Sequence, residues 1–218
     1  KIGIHVRLTS TDGKKLGIDY FQVAAAALMA VRHVNDRVSS LVAPEHVSSI
    51  PEGFRLIFDM VDTMSSPPTA VEKTVFWTGL EGNNSETVDM IIGASRSAVT
   101  SPVSLVARVT GTPVLSYLST SSSLSDNTIY PNFGRTIPSD SVFAFAMANI
   151  IKEIGWGEFS VLFLDDIYGV GFWQDLSLSA GNLDLSIATS QKYLPGDLNS
   201  IKKALTSIKR AGSRVIVC

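Results

Sequence analysis

The stretch "VDMIIGASRSAVTSPVSLVARVTGTPVLSY", Val88 to Tyr117, decides the fold. It opens on an apolar run, Val88 to Gly93, and passes through the small residues around Ser95 and Ser97. Val99, Val103, Val106 and Thr110 then follow at helical spacing, and a second apolar run, Pro113 to Tyr117, closes the stretch. Apolar β-branched runs on either side of a helical period read as strand, helix, strand, the repeating piece of a parallel sheet.

The same rhythm extends outward. Upstream, Ile2 to Val6 and Arg55 to Val61 read as strands, and Asp19 to Val38 and Thr69 to Leu80 as helices. Downstream it restarts, with helices over Ser141 to Ile154, Val170 to Ala180 and Leu198 to Ala211. Strands over Phe159 to Leu164, Leu185 to Ser190 and the final "RVIVC" lie among them. Near-continuous apolar strands separated by helices predict α/β architecture, with parallel sheets covered on both faces. The irregular stretch Leu118 to Ser139 breaks the rhythm, and loops of that length are functional or join domains. A boundary near Thr136 to Ser139 divides the chain into residues 1–137 and an incomplete second unit, 138–218.

Composition narrows the function classes. Of 218 residues, 45% are hydrophobic and 17% charged, enough to bury a core and far from the disordered range. A net charge of −2 without a Lys/Arg cluster offers no footprint for nucleic acid. The single cysteine, Cys218, excludes an internal disulfide, and His5, His33 and His46 lack ligand spacing, so neither a metal nor a cofactor is expected. "VAAAALMAV", Val23 to Val31, is bracketed by Asp19 and Arg32. It falls short of the ~20 residues of a membrane span and reads as a buried helix. Both ends read as cut, which makes this a piece of a longer protein.

Ligands of open parallel sheets bind outside the carboxyl ends of the strands. Two such ends stand out. After "MII", Gly93 to Ser97 combine small residues with a helix start, a seat for a carboxylate or phosphate. The plainer reading has Ser95 or Ser97 as a helix cap. After "PVLSY" comes the hydroxyl-rich "LSTSSSLSD", Leu118 to Asp126, whose plainer reading is a solvated loop with Asp126 in a turn. No nucleophile elbow, P-loop or dinucleotide fingerprint is present. Asp165 and Asp166 close the strand "VLFLDD", so an α/β enzyme using them is the alternative of a different class.

"IIGASRSAV…TPVLSYLSTSSSLSD…YPNFGRTIPSD…IGWGEFSVLFLDDIYG" resembles the receptor ligand-binding region of the type I periplasmic-binding-protein superfamily, the ANF receptor family. Within it the likeness is greatest to the extracellular domains of class C G-protein-coupled receptors, the metabotropic glutamate and GABA receptors. Tyr117, Leu124-Ser125-Asp126, Phe133, Arg135, Pro138-Ser139-Asp140, Trp156 and Tyr168-Gly169 fall in family order without a gap. The resemblance implies a two-lobed clamshell with lobe one complete and lobe two only begun. It also implies an amino acid or derivative as ligand, no catalysis, and a homo- or heterodimer through lobe one. Membrane attachment would come through a missing C-terminal segment, with this part on the extracellular side. Receptor guanylate cyclase ectodomains and soluble solute-binding proteins share the fold and stay open as alternatives.

Four positions carry the family's amino-acid clamp. Ser97 matches the serine that takes the carboxylate, and Thr120 the hydroxyl that touches both ligand groups. Asp140 matches the acid near the amine, and Tyr168 the lobe-two tyrosine whose ring faces the ammonium. Asp140 is equally placed to cap the helix after it. The family serine two residues before Thr120 is Leu118 here, with Ser119 beside it as a substitute. Arg96 can reach a distal acid or point to solvent, and Met64 stands where a cysteine is customary. The remaining serines of the run read as solvated, and Trp156 as core. Asn83 in "NNS" is a glycosylation acceptor if this part is extracellular.

Overall fold

We describe residues 1–38, 44–82 and 86–218 of a computed structural model. Lys1–Ser119 and Tyr130–Thr136 make one compact unit, and Thr120–Ile129 and Ile137–Cys218 a second. Asn83 lies outside the described residues.

The first unit runs β1 (Ile2–Val6), α1 (Ile18–Asn35), α2 (Pro44–Ser49), β2 (Phe58–Asp62), α3 (Pro67–Thr78), β3 (Met90–Ile92), α4 (Ser97–Thr110), β4 (Val114–Ser116) and β5 (Phe133–Arg135). Its strands pair in the order β2-β1-β3-β4-β5, all parallel. Alternation along β1 assigns the two faces of the sheet. Ile2, Ile4 and Val6 pack with Ala24 and Val31 of α1. Gly3 and His5 face α3: a Cβ on Gly3 would come 2.5 Å from the Trp77 ring, and the His5 ring lies 4.7 Å from it. Trp77 anchors a cluster with Ile91, Val99, Val103, Ala107 and Val114, which holds α3 and α4 on that face. Strand order reverses direction between β1 and β3, where open α/β sheets leave a crevice.

Local chemistry sets the helix limits. α3 starts at Ser66, whose hydroxyl accepts from Thr69 N–H at 3.4 Å, and at Pro67, whose missing donor costs nothing there. It ends at Gly79 and α4 at Gly111, both left-handed at φ 75° and 74°.

The second unit runs from a 3-10 turn (Ser122–Ser125) through α5 (Asp140–Glu153), β6 (Glu158–Leu164), α6 (Ile167–Asn182), β7 (Ser186–Tyr193) and α7 (Leu198–Arg210) to β8 (Ile216–Val217). Its parallel sheet has the order β7-β6-β8. Ala144, Ala148 and Ile151 of α5 meet Phe159 and Val161 of β6 and Leu176 and Ala180 of α6 in its core.

Three expectations fail. "VAAAALMAV" is helical but not buried: only Ala24 and Val31 are, while Leu28 and Met29 are 42% and 56% exposed. Leu28 and Met29 are absent from the groove that Val23, Ala27, Val31 and Val34 line against the sheet, so an apolar run bracketed by charges need not be buried on every face. Trp156 is 44% exposed, because it follows α5 at a turn rather than pointing inward. The stretch from Leu118 to Ser139 is not irregular throughout, since it holds the 3-10 turn and β5, which at three residues is too short for periodicity to reveal. Among the described residues no helix is long and apolar enough to cross a membrane.

Candidate functional site

In the first unit, the turn between β3 and α4 is built on a close approach of backbones. Gly93 has φ 112°, and a Cβ there would lie 2.5 Å from the His5 carbonyl oxygen, so only glycine fits. The next carbonyl, Ala94, collects hydroxyls from Ser116 at 2.7 Å, Ser119 at 3.1 Å and Thr100 at 3.2 Å. Ser119 is wholly buried, and its hydroxyl also lies 2.7 Å from that of Thr100. That side chain ties β4 to the β3–α4 turn.

Ser97 is the first residue of α4 and is buried. The residue before it, Arg96, is extended, and its side chain makes no capping hydrogen bond. The Arg96 carbonyl accepts from Val99 and Thr100 N–H, both at 2.9 Å. A helix start without a side-chain cap keeps the positive end of the helix dipole available to an anion.

The second unit brings three candidates together. The Thr120 carbonyl accepts from Asp140 N–H at 2.9 Å, which fixes the loop to the start of α5. Asp140 does not cap that helix. Ser139 does, accepting from Ser141 N–H at 3.4 Å, and Asp140 is the first helical residue, buried at 9% exposure. A carboxylate there is favoured by the helix dipole. Tyr168 is the second residue of α6 and 47% exposed. Burial, followed by the negative charges of Asp140 and Asp166, raises its hydroxyl above the usual phenol range. The ring therefore stands in a negative field, a setting that favours an ammonium group.

Other candidates have structural duties. Asp166 caps α6 by accepting from Gly169 N–H at 2.9 Å, and Asp165 pairs with Lys192 at 2.9 Å. In the serine run, Ser121 is wholly buried rather than solvated: its hydroxyl donates to the Ile167 carbonyl at 2.9 Å. A Cβ on Gly171 would meet that hydroxyl at 2.8 Å, so the glycine lets α6 lie against the serines. Asp126 makes the turn expected of it, accepting from Thr128 N–H at 2.8 Å.

Thr120, Asp140 and Tyr168 thus share one unit, while Arg96 and Ser97 belong to the other. The sequence reading missed a group in the first unit, where Arg7, Tyr20, Ser95 and Tyr117 line one cavity at the ends of β1, β3 and β4. A basic residue directly after the apolar "IGIHV" was the available signal.

The profile of the family described as receptor family ligand binding region matches residues 22–218. The chain belongs to that family. Among similar curated proteins, metabotropic glutamate receptor 6 of Rattus norvegicus is 29% identical over 223 aligned residues, covering 88% of this chain and 26% of that protein. Metabotropic glutamate receptor 6 of Oryctolagus cuniculus is 35% identical over 136 residues, 60% of this chain and 16% of that protein. Metabotropic glutamate receptor 8 of Homo sapiens is 37% identical over 128 residues, 56% and 14%. The chain therefore spans about a quarter or less of the length of these relatives. The resemblance drawn from Ile92 to Gly169 is borne out, and the parallel α/β fold of this receptor ligand-binding region agrees with it.

Proposed function

We propose that this ligand-binding region recognises a small amino acid or a close derivative, without catalysis, as the extracellular sensor of a G-protein-coupled membrane receptor. Residues 1–137 act as the first ligand-binding lobe and 138–218 as the start of the second. The observation that carries the reading is the meeting of Thr120, Asp140 and Tyr168 in the second unit: a hydroxyl, a carboxylate and an aromatic ring in a negative field. These suit an ammonium group. Ser97, at the uncapped start of α4, suits the carboxylate. The names of the relatives, metabotropic glutamate receptors, support the ligand class and the coupling. Ligand shifts the receptor towards its closed form only by its preference for closed over open. Dimerisation through the first lobe, membrane attachment beyond Cys218 and glycosylation at Asn83 belong to the same proposal. Arg96 is the candidate for a distal group of the ligand.

Calorimetry with a panel of the standard amino acids, on the full-length protein that carries this chain, tests it. Ser97→Ala and Thr120→Ala should each weaken the best ligand by about 1–3 kcal/mol, the cost of leaving a charged group under-bonded. Unchanged affinity in both variants, with the wild type binding, would overturn the assigned contacts.

A further inference from the structure

The serine run is held within the second unit from two sides. Thr120 and Ser121 belong to that unit rather than to the unit of β4, the strand before them. The Thr120 carbonyl accepts from Asp140 N–H at 2.9 Å, at the start of α5. The Ser121 hydroxyl donates to the Ile167 carbonyl at 2.9 Å, at the start of α6. Ile167 directly precedes Tyr168. The backbone that carries Thr120 is thus tied to Asp140 itself and to the neighbour of Tyr168.

Helix α6 is shaped to receive that hydroxyl. The helical ladder pairs the carbonyl of Ile167 with the N–H of Gly171, four residues on. A carbonyl oxygen has two lone pairs, so one is left for Ser121. Gly171 also supplies the room. A Cβ there would lie 2.8 Å from the Ser121 hydroxyl oxygen and 3.5 Å from those of Ser122 and Ser123. Gly171 lies inside α6 without a left-handed φ, so space rather than conformational freedom is what it contributes. Beyond Ser121, the buried Leu124 anchors the 3-10 turn, and its N–H donates to the Ser121 carbonyl at 3.2 Å. Ser121 is wholly buried, where a hydroxyl is unfavourable unless bonded and an alanine would need no acceptor. What the hydroxyl adds to packing is direction.

We propose that Ser121 is a positioning residue for the ligand site, one that sets the Thr120 loop against the start of α6 before any ligand arrives. This rests on the reading of Thr120, Asp140 and Tyr168 as amino-acid contacts. A loop already in place escapes the loss of affinity that a partly populated binding conformation imposes. Gly171 is the matching half of the device, because a side chain there would drive the Ser121 hydroxyl off the Ile167 carbonyl.

Hydrogen exchange and calorimetry on the full-length protein test it. Without ligand, Ser121→Ala should speed exchange of the Leu124, Asp126 and Asp140 amides about fivefold, the share of one hydrogen bond, with β6 and β7 unchanged. Across the panel of standard amino acids, the same variant should weaken the best binder at least about threefold. Gly171→Ala keeps the serine but fills its seat, so it should reproduce both changes while α6 gains helix propensity and Tm holds. The double variant should be no worse than Ser121→Ala alone, because the new methyl then meets no hydroxyl at position 121. Loop exchange unchanged in Ser121→Ala, faster exchange with unchanged affinity, or additive losses in the double variant would each overturn the proposal. A wild-type protein that binds no amino acid would instead overturn the reading of the site. The exchange comparison needs no ligand and would still decide whether Ser121 holds the loop.

Discussion

Two turns from strand to helix, one in each unit, solve the same problem with opposite chemistry. In the first unit β3 passes into α4 through Gly93, Ala94, Ser95 and Arg96, and the Arg96 side chain at the cap position makes no capping hydrogen bond. In the second unit β6 passes into α6 through Asp165 and Asp166, and Asp166 caps the helix through Gly169. In the first turn the cap residue contributes no side-chain hydrogen bond to the positive end of its helix, while the second spends its carboxylate on its own backbone and sets Tyr168 beside further negative charge. A zwitterion needs both kinds of surface. The proposed amino-acid contacts follow that division: carboxylate at Ser97, ammonium at Asp140 and Tyr168.

The largest expected effect comes from the glycine that makes the second turn possible. A Cβ on Gly169 would lie 2.2 Å from the Leu164 carbonyl oxygen and 2.6 Å from its nitrogen. Backbone atoms cannot rotate aside as a side chain can, so Gly169→Ala should destabilise the second unit by about 3 kcal/mol or more. Gly93→Ala in the first turn meets the His5 carbonyl at 2.5 Å and carries a left-handed φ as well, so a similar loss is expected there. Denaturant unfolding of each variant checks both. A change below about 1 kcal/mol in either would break the parallel between the turns.

A smaller effect distinguishes the units by pH. His5 in β1 is fully buried, and its Nε2 lies 3.0 Å from the Thr74 hydroxyl. That hydroxyl already donates to the Ala70 carbonyl at 2.7 Å, so His5 must be the donor and carries its proton on Nε2. Charging Nδ1 would bury a cation. Burial first, and the charge of Lys73 second, lower its pKa from 6.5 to about 3. The unfolded chain then binds this proton at higher pH than the folded one. Stability is untouched above the unfolded value and falls as pH drops from there towards the folded one, by about 2 kcal/mol at pH 5. His5→Gln should remove that slope, as read by thermal unfolding across pH. A slope unchanged in the variant would place the titration elsewhere.

How legible this was in the sequence depended on the scale of the signal. The α4 period, of which Val99 and Val103 are buried while Thr110 is exposed, and the apolar β1 and β6 announced the parallel architecture, because burial on two faces leaves no polar alternation to misread. Asp140 and Tyr168 were found through the family pattern rather than by spacing. What escaped depended on long-range packing. The hydroxyls of Ser119 and Ser121 are buried because Ala94 and Ile167, distant in sequence, offer them carbonyls. Nor could the run of alanines in α1 reveal that Ala25, Ala26 and Ala30 are exposed, since a methyl reads as core whether or not anything meets it.

The smallest effect bears most directly on the comparison of the two turns. Replacing Asp166 by alanine removes the side-chain acceptor for Gly169 N–H, and loss of such a cap costs about 1 kcal/mol. Arg96 occupies the equivalent cap position of α4 but contributes no capping hydrogen bond, so Arg96→Ala removes none. The two substitutions therefore differ in kind, and ligand linkage separates them further. If the start of α4 is completed by the ligand's carboxylate, the proposed amino acid should protect the α4 amides from hydrogen exchange in both variants. Asp166→Ala should instead leave the first turn of α6 exchanging faster whether or not ligand is present, because no ligand atom replaces the lost carboxylate. Equal ligand protection of α6 amides in that variant would mean that the second turn also serves as an anion seat, and the division of labour between the turns would fail.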